Sequence, residues 1–163
     1  MTRLTEHPAL SKNENWLVCA NPTCATVLAS DAEICDECGG TQFDPLSAAA
    51  ALLCGWADNR PVAFQLKSDH PLLIGRSLAG GPAPDIDLRR FPSSASVHRR
   101  HATIERQGHD WRVSHLGTNP LVVRGRERLA LEPGASAAIR SGQTLEVGGV
   151  ALLLLVRDLP RRI

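Results

Sequence analysis

Several features that mark other protein classes are missing from this sequence. Tyrosine is absent and aromatic residues make up only 4% of the chain, which argues against a stacking surface for single-stranded nucleic acid. No apolar run reaches the roughly 18 residues that a membrane-spanning helix needs, so we expect no membrane partner. The polar start, MTRLTEHPALSKNEN, lacks the apolar core of a signal peptide. We therefore expect a cytoplasmic protein, in which disulfides are rare.

Charge is divided unevenly along the chain, although the net charge is only +1. Residues 1–59 carry two basic and eight acidic side chains, a balance of −6. Residues 60–163 carry sixteen basic and nine acidic side chains, a balance of +7, and the two sum to +1. This asymmetry predicts two modules with different partners. Chance variation in the charge of small modules stays open as the alternative.

Four cysteines dominate the first module, and we assign it to residues 15–43. Their spacing is C-x4-C, ten residues, then C-x2-C, and the members are Cys19, Cys24, Cys35 and Cys38. A C-x2-C turn holds two thiolates on one side of a tight loop, as tetrahedral zinc requires. The stretch resembles a zinc ribbon, and we predict one structural Zn²⁺ closed by four sulfurs. Disulfides and free thiols are the alternatives, but the segment has too few apolar residues to fold without a staple.

Acidic residues surround the second cysteine pair, namely Asp31, Glu33, Asp36 and Glu37. Their charge repels a phosphate backbone. The sequence therefore favours a ribbon that supports the fold or contacts protein, and it disfavours nucleic acid as a partner.

The remaining segments outside the second module are read from their composition. We predict a flexible N-terminus over 1–14, a connector over 44–60 and a C-terminal tail over 159–163. The apolar run LSAAAALLCGW within the connector predicts a short helix with Ser47 as its N-cap. Cys54 falls outside the zinc spacing and is expected to pack as a small apolar side chain.

From residue 61 to 158 the pattern changes to short apolar runs separated by turn signals. Runs such as VAFQLK, HATIER, DWRVSHL, QTLEV and VALLLLV indicate strands, and breaks such as AGGPAP, RQGHD and EPGA indicate turns. Several short strands in about 100 residues, with no convincing helix, predict a β-sandwich. We expect His70, His109 and His115 to lie exposed at turns or strand ends.

Five pieces of this module, taken in order, resemble a forkhead-associated (FHA) domain. They are IGR (74–76), DIDL (85–88), VHRRHATI (97–104), LGTN (116–119) and IRSGQTLEVGG (139–149). Such domains are β-sandwiches that bind phosphothreonine peptides with loops at one end. The resemblance therefore implies an all-β protein, an FHA-type β-sandwich over 61–158 preceded by a small zinc ribbon.

The resemblance also implies a set of site residues. Arg76 would contact the phosphate, for which a guanidinium fork is well suited, and Arg99 would be its neighbour. His101 would brace the loop without touching the ligand. Thr118 would line the site, and Asn119 would hold the peptide backbone.

Two residues depart from the family pattern. His98 stands where the family has a serine that donates to phosphate, and Pro120 stands where it has glycine. His98 could donate an imidazole N–H, in which case binding weakens as pH rises through about 6.5. Alternatively its ring fills the pocket, or a shift of register brings in Ser94 or Ser96. A solvated turn that binds nothing also stays open.

The functional expectation is a non-enzymatic signalling adaptor. Its partner would be a phosphothreonine-containing protein or a serine/threonine kinase. No set of nucleophile, base and oxyanion donors stands out, which argues against an enzyme. The alternative is a degenerate FHA domain that acts as a phosphate-independent interaction or dimerisation scaffold.

Overall fold

The computed structural model describes residues 4–11, 15–67, 69–79 and 81–157. Apart from four short 3-10 turns, at Leu4–Glu6, Pro8–Leu10, Leu46–Ala48 and Ser94–Ser96, their regular structure is β-strand. The strands are β1 (Leu17–Cys19), β2 (Val27–Leu28), β3 (Phe43–Pro45), β4 (Ala51–Ala57), β5 (Arg60–Gln65), β6 (Leu72–Gly75), β7 (Ile86–Asp87), β8 (Ala102–Gln107), β9 (Asp110–His115), β10 (Leu121–Arg124), β11 (Arg128–Ala130), β12 (Ser136–Ile139), β13 (Thr144–Val147) and β14 (Val150–Val156). Among these residues, no helix is long and apolar enough to cross a bilayer.

Two sheets form the sandwich that the sequence predicted. One has the order β11-β10-β13-β14-β4-β5 and the other β12-β9-β8-β6-β7. The main core lies between them, because alternate side chains of each strand point inward. On β9, for example, Trp111 and Val113 are buried while Arg112 and Ser114 are half-buried. The prediction of an all-β sandwich is confirmed.

A third, smaller sheet, β2-β1-β3, carries the cysteine segment. It lies against the edge strand β5, since Thr26 bridges to Val62 and the Ala63 amide donates to the Ala25 carbonyl at 2.9 Å. The two modules therefore share backbone hydrogen bonds.

The short helix predicted in the connector is wrong. Residues 51–57 form β4, which pairs with β14 on one side and β5 on the other. Leu53 faces the main core, whereas Leu52 and Cys54 face a second core built with Val18 and neighbouring residues of the first module. A strand buried on both faces has a continuous apolar run with no period of two, so its pattern cannot be told from that of a buried helix. The sandwich accordingly begins at Ala51 and not at 61.

The predicted flexible N-terminus is also corrected, for the part that the structure describes. Residues 4–11 form two 3-10 turns, and Ala9 packs into the second core. The His7 ring is buried, donates from Nε2 to the Val62 carbonyl at 2.9 Å and accepts the Ala9 amide at Nδ1. Burial lowers the pKa of His7, in keeping with this neutral tautomer. Residues 1–3, 12–14 and the predicted tail 159–163 lie outside the described residues.

Candidate functional site

Three loops meet at one end of the sandwich: 76–85, 88–101 and 116–120. The first leaves β6 at Gly75, where the backbone passes so close to its neighbour that a Cβ would lie 1.9 Å from the Arg99 carbonyl oxygen. The Arg76 amide then donates to the His98 carbonyl at 3.1 Å. Glycine at 75 therefore lets the chain present Arg76 directly beside the His98–Arg99 segment.

The Arg76 side chain is half-buried and has no side-chain partner among the described residues. Its Nε is inaccessible to solvent and makes no hydrogen bond, and no described residue forms an ion pair with its guanidinium. An unsatisfied buried donor costs about 1–3 kcal/mol. This cation is therefore placed to gain from an anion in the site.

His98 links the second loop to the third. Its Nε2 accepts the Asn119 backbone N–H at 3.2 Å and lies 3.2 Å from Thr118 Oγ1. The ring packs on Gly117, where a Cβ would lie 2.5 Å from Cδ2 of the imidazole. Since Nε2 accepts, the neutral ring carries its proton on Nδ1. His98 thus occupies the position between the loops and holds the amide of Asn119.

Asn119 is held by hydrogen bonds at its side-chain amide and at its backbone carbonyl. Its side-chain Nδ2 donates to the Ser96 carbonyl at 2.8 Å, and its carbonyl lies 2.7 Å from Nε2 of His115. Ser94, one of the two hydroxyls considered for a shifted register, is buried, with its hydroxyl 3.4 Å from the Arg89 carbonyl. Ser96 is exposed. Ser94 is therefore not available to a ligand in this arrangement.

His101 lies beneath the site and joins the same two loops. Its Nδ1 accepts the His98 amide at 3.1 Å, and its Nε2 donates to the Pro120 carbonyl at 3.0 Å. Burial lowers the pKa of His101, which favours the neutral ring that these two bonds require. The substitution of proline at 120 is compatible with this contact, because the contact uses the carbonyl and not an N–H.

His115 was expected to be exposed, and this expectation is wrong. The side chain is only 2% exposed, with its two ring nitrogens 2.9 Å from the Leu131 carbonyl and 2.7 Å from that of Asn119. Its place on β9, two residues after Val113 and four after Trp111, puts it on the inward face of the strand. That alternation was the sequence signal for its burial.

The loops thus bring together Arg76, His98, Thr118 and Asn119, with His101 beneath them. Arg99 lies beside this group, exposed and without an ion-pair partner among the described residues. Of the other histidines named from the sequence, His70 and His109 are exposed.

The four cysteines of the first module also come together. Their sulfurs all lie within 4.8 Å of one another, with Cys19 and Cys38 3.5 Å apart and Cys24 and Cys35 3.7 Å apart. Tetrahedral zinc with sulfur at about 2.3 Å needs sulfurs roughly 3.8 Å apart, so this donor set fits the ion. None of the four sulfurs is in a disulfide.

Backbone amides support the second cysteine turn. The Gly40 amide donates to the Cys38 sulfur at 3.4 Å, and Gly39 adopts a φ of +77° that closes the turn. The Gly40 bond lowers the pKa of Cys38 to about 7, whereas burial raises the pKa of Cys19 to about 12. Four thiolates held this close repel one another, and a bound cation would offset that repulsion.

The acidic turn faces arginines of the sandwich. Arg60 makes two 2.9 Å contacts with the Asp36 carboxylate and one of 3.2 Å with Glu37. Arg90 donates to the Cys24 carbonyl at 2.7 Å and to Thr26 Oγ1 at 2.6 Å. Part of the charge asymmetry between the two halves is therefore complementary charge across their own interface.

The sandwich is the part of this chain that matches known proteins. The family model of the FHA domain matches residues 72–148. No curated protein matches the chain. Three similar solved structures are Mycobacterium tuberculosis EmbR in complex with a low-affinity phosphopeptide (23% identity, TM-score 0.51, 70% of this chain and 26% of that one), the FHA domain of an Arabidopsis thaliana hypothetical protein (19%, 0.51, 70% and 92%) and that of Chlamydia trachomatis CT664 (22%, 0.50, 66% and 98%). The family match identifies residues 72–148 as an FHA domain, and these structural likenesses show that the sandwich has the same fold.

Proposed function

We propose that this protein is a non-enzymatic signalling adaptor that binds phosphothreonine in a partner protein. The observation that carries the proposal is the half-buried Arg76 guanidinium, which forms no ion pair with a described residue and lies where three loops meet. The partner would be a substrate of a serine/threonine kinase, or the kinase itself, in the cytoplasm.

Each loop residue has a distinct role in this proposal. Arg76 takes two phosphate oxygens with its planar fork, and the exposed Arg99 adds a second positive charge. Thr118 lines the phosphate pocket with its hydroxyl, and Asn119 orients the peptide backbone. His98 positions Asn119 through the 3.2 Å bond to its amide, and His101 holds the loop from below.

In this proposal the cysteine cluster has a structural role and not a catalytic one. Four sulfurs would close the coordination sphere of Zn²⁺, which leaves no open position for a substrate. When bound, the ion would supply folding free energy to a module whose strands are only two or three residues long. The fit of the donor set and the Gly40 bond to Cys38 support this assignment.

Capture from a degenerate phosphothreonine peptide library tests the proposal. Wild type should enrich phosphorylated over unphosphorylated peptides, and Arg76→Ala should not. Arg126→Ala is the control for the loss of one positive charge, because Arg126 has no ion pair with a described residue, is exposed and lies beyond the far end of β10. Equal capture of both peptide forms by wild type would refute the proposal.

The second candidate is a phosphate-independent scaffold. The observation that favours it is that His98, Asn119 and Ser96 satisfy one another without a ligand. In that case an unmodified protein would bind, and its affinity would be the same for wild type and Arg76→Ala.

A further inference from the structure

A groove runs from the Arg76 loop to the cysteine module. Its volume is about 490 Å³. One wall is the loop after β6, with Ser77 and Leu78, and the other is Thr23 in the first cysteine turn. Ser77 follows Arg76 in the chain, so the loop after β6 carries both the proposed phosphate ligand and one wall of the groove.

Two arginines line the groove, Arg89 and Arg90, and Arg90 is engaged by the cysteine module. Arg89 is exposed in the groove and has no side-chain hydrogen bond or ion pair with any described residue. The acidic residue at its base, Asp87, is buried and accepts the amides of Ser77 and Arg89 with one oxygen, at 3.1 and 3.0 Å. The carboxylate is thus held against backbone, and the guanidinium of Arg89 is left for a ligand.

The wall contributed by the cysteine module is held in place. Arg90, next to Arg89, donates to the Cys24 carbonyl and to Thr26 Oγ1, at 2.7 and 2.6 Å. Within the turn, Asn21 Oδ1 accepts both the amide and the hydroxyl of Thr23. This wall of the groove is therefore pre-formed, which lowers the entropic cost of binding a peptide against it.

We propose that this groove binds an acidic side chain of the same phosphothreonine peptide at Arg89, and that the cysteine module is part of the recognition surface. The proposal rests on the proposed function, since the phosphothreonine held at Arg76 delivers the peptide to the groove. Charge complementarity selects aspartate or glutamate. Leu78, 44% exposed, gives an apolar surface for the methylenes of the acidic residue.

The test measures fluorescence anisotropy of the full-length, zinc-loaded protein with one phosphothreonine peptide whose flanks on either side are acidic, neutral or basic. The acidic form should bind about 2–5-fold more tightly than the neutral form, as expected for a solvent-screened ion pair. Arg89→Ala should abolish this preference and leave the affinity for the neutral peptide unchanged. Arg89→Glu should reverse the preference, and Arg126→Ala should preserve it.

The contribution of the cysteine module is tested from its own side of the groove. Thr23→Asp should weaken binding of the acidic peptide, and Thr23→Lys should strengthen it, each by about 2–5-fold. Both substitutions replace an exposed side chain and remove its hydroxyl bond to Asn21, while the Thr23 amide bond to Asn21 remains, so melting temperatures should fall only slightly. No effect of either substitution would remove the module from the recognition surface.

The outcomes separate the two proposals. Equal affinity for the three flanks, or an acidic preference that survives Arg89→Glu, would overturn the groove while Arg76-dependent phosphopeptide binding still stood. Failure of every phosphopeptide to bind, or binding indifferent to Arg76→Ala, would overturn the proposed function and the groove with it.

Discussion

The buried rings of His101 and His115 stack on each other, with centroids 5.7 Å apart and planes 14° from parallel. His101 bonds to His98 and Pro120, and His115 lies against the carbonyls of Asn119 and Leu131. The pair therefore connects the loops that carry the candidate site to the sandwich core. The geometry of the site therefore depends on two buried rings that lie beneath its loops.

The neutral state of His101 gives stability a pH dependence. Its pKa is lowered in the fold by burial, so the unfolded chain takes up a proton that the folded chain does not. Its contribution to the free energy of unfolding is therefore present above about pH 6.5 and is lost as pH falls through the lowered value. His101→Gln keeps an acceptor and a donor but does not titrate.

Urea unfolding at about pH 7.5 and about pH 5.5 tests this effect. The loss of stability between the two pH values should be smaller in His101→Gln than in wild type. His109→Gln, in the exposed turn between β8 and β9, is the matched control. Equal losses in wild type and His101→Gln would contradict the assignment of a buried neutral ring.

Gly75 should not tolerate a side chain. A methyl group at this position would meet the Arg99 carbonyl oxygen at 1.9 Å, so the backbone of the 98–99 segment must move. Gly75→Ala should lower the free energy of unfolding by about 1–3 kcal/mol and reduce phosphopeptide binding. At Gly81 the nearest atom to a new Cβ is 3.5 Å away, which makes Gly81→Ala the control for denaturation. Equal stability of the two variants would show that the close approach is not a constraint.

We predict that His98 supports phosphopeptide binding by accepting the backbone amide of Asn119. His98→Ala removes the acceptor of the Asn119 amide, so phosphopeptide affinity should fall by about 2–10-fold. His98→Asn places a neutral carbonyl oxygen there and should recover part of the loss. An Asn119 amide resonance that is unmoved in His98→Ala would exclude this contact.

Removal of the predicted zinc should destabilise both modules. The cysteine module covers the outer face of β4, where Val18 and Val27 pack with Leu52 and Leu153. Burying each of these leucines contributes about 1.5–3 kcal/mol. A chelator should therefore lower the melting temperature of the whole chain, and the intrinsic tryptophan fluorescence should shift as Trp16 becomes exposed.

Metal content supplies the control for this prediction. Wild type and Cys54→Ala should each hold one zinc per chain, since Cys54 lies in the second core and outside the cluster. Cys35→Ala should lose the metal. A melting temperature that is indifferent to chelator would refute a structural ion.

Much of the fold could be predicted from the sequence because most strands have one buried face. The alternation of β8 and β9 placed both strands, and the ordered motifs placed Arg76 and His101 at one end of the sandwich. β4 could not be predicted in this way, since the first module buries its second face. The first module covers the second face of β4 only in the folded chain, and the local sequence pattern does not show this contact.

The contacts within the site could not be predicted from the sequence, for a related reason. His98 and Asn119 are 21 residues apart, and no spacing rule indicates that the ring of one accepts the amide of the other. Arg90 gave no signal either, because its partners, the Cys24 carbonyl and Thr26, are supplied by the other module. Residue types predicted the chemistry of the site, and only the fold defines which groups are already paired.

The central claim is that the unpaired guanidinium of Arg76 binds phosphate. Titration calorimetry with one library-selected peptide, in phosphorylated and unphosphorylated forms, tests it most directly. For wild type the phosphorylated form should bind and the unphosphorylated form should not. Arg76→Ala should lose about 10–150-fold in affinity, the range expected for hydrogen bonds between charged groups, and Arg76→Lys should fall between them. Equal affinity of wild type and Arg76→Ala for the phosphopeptide would contradict the account.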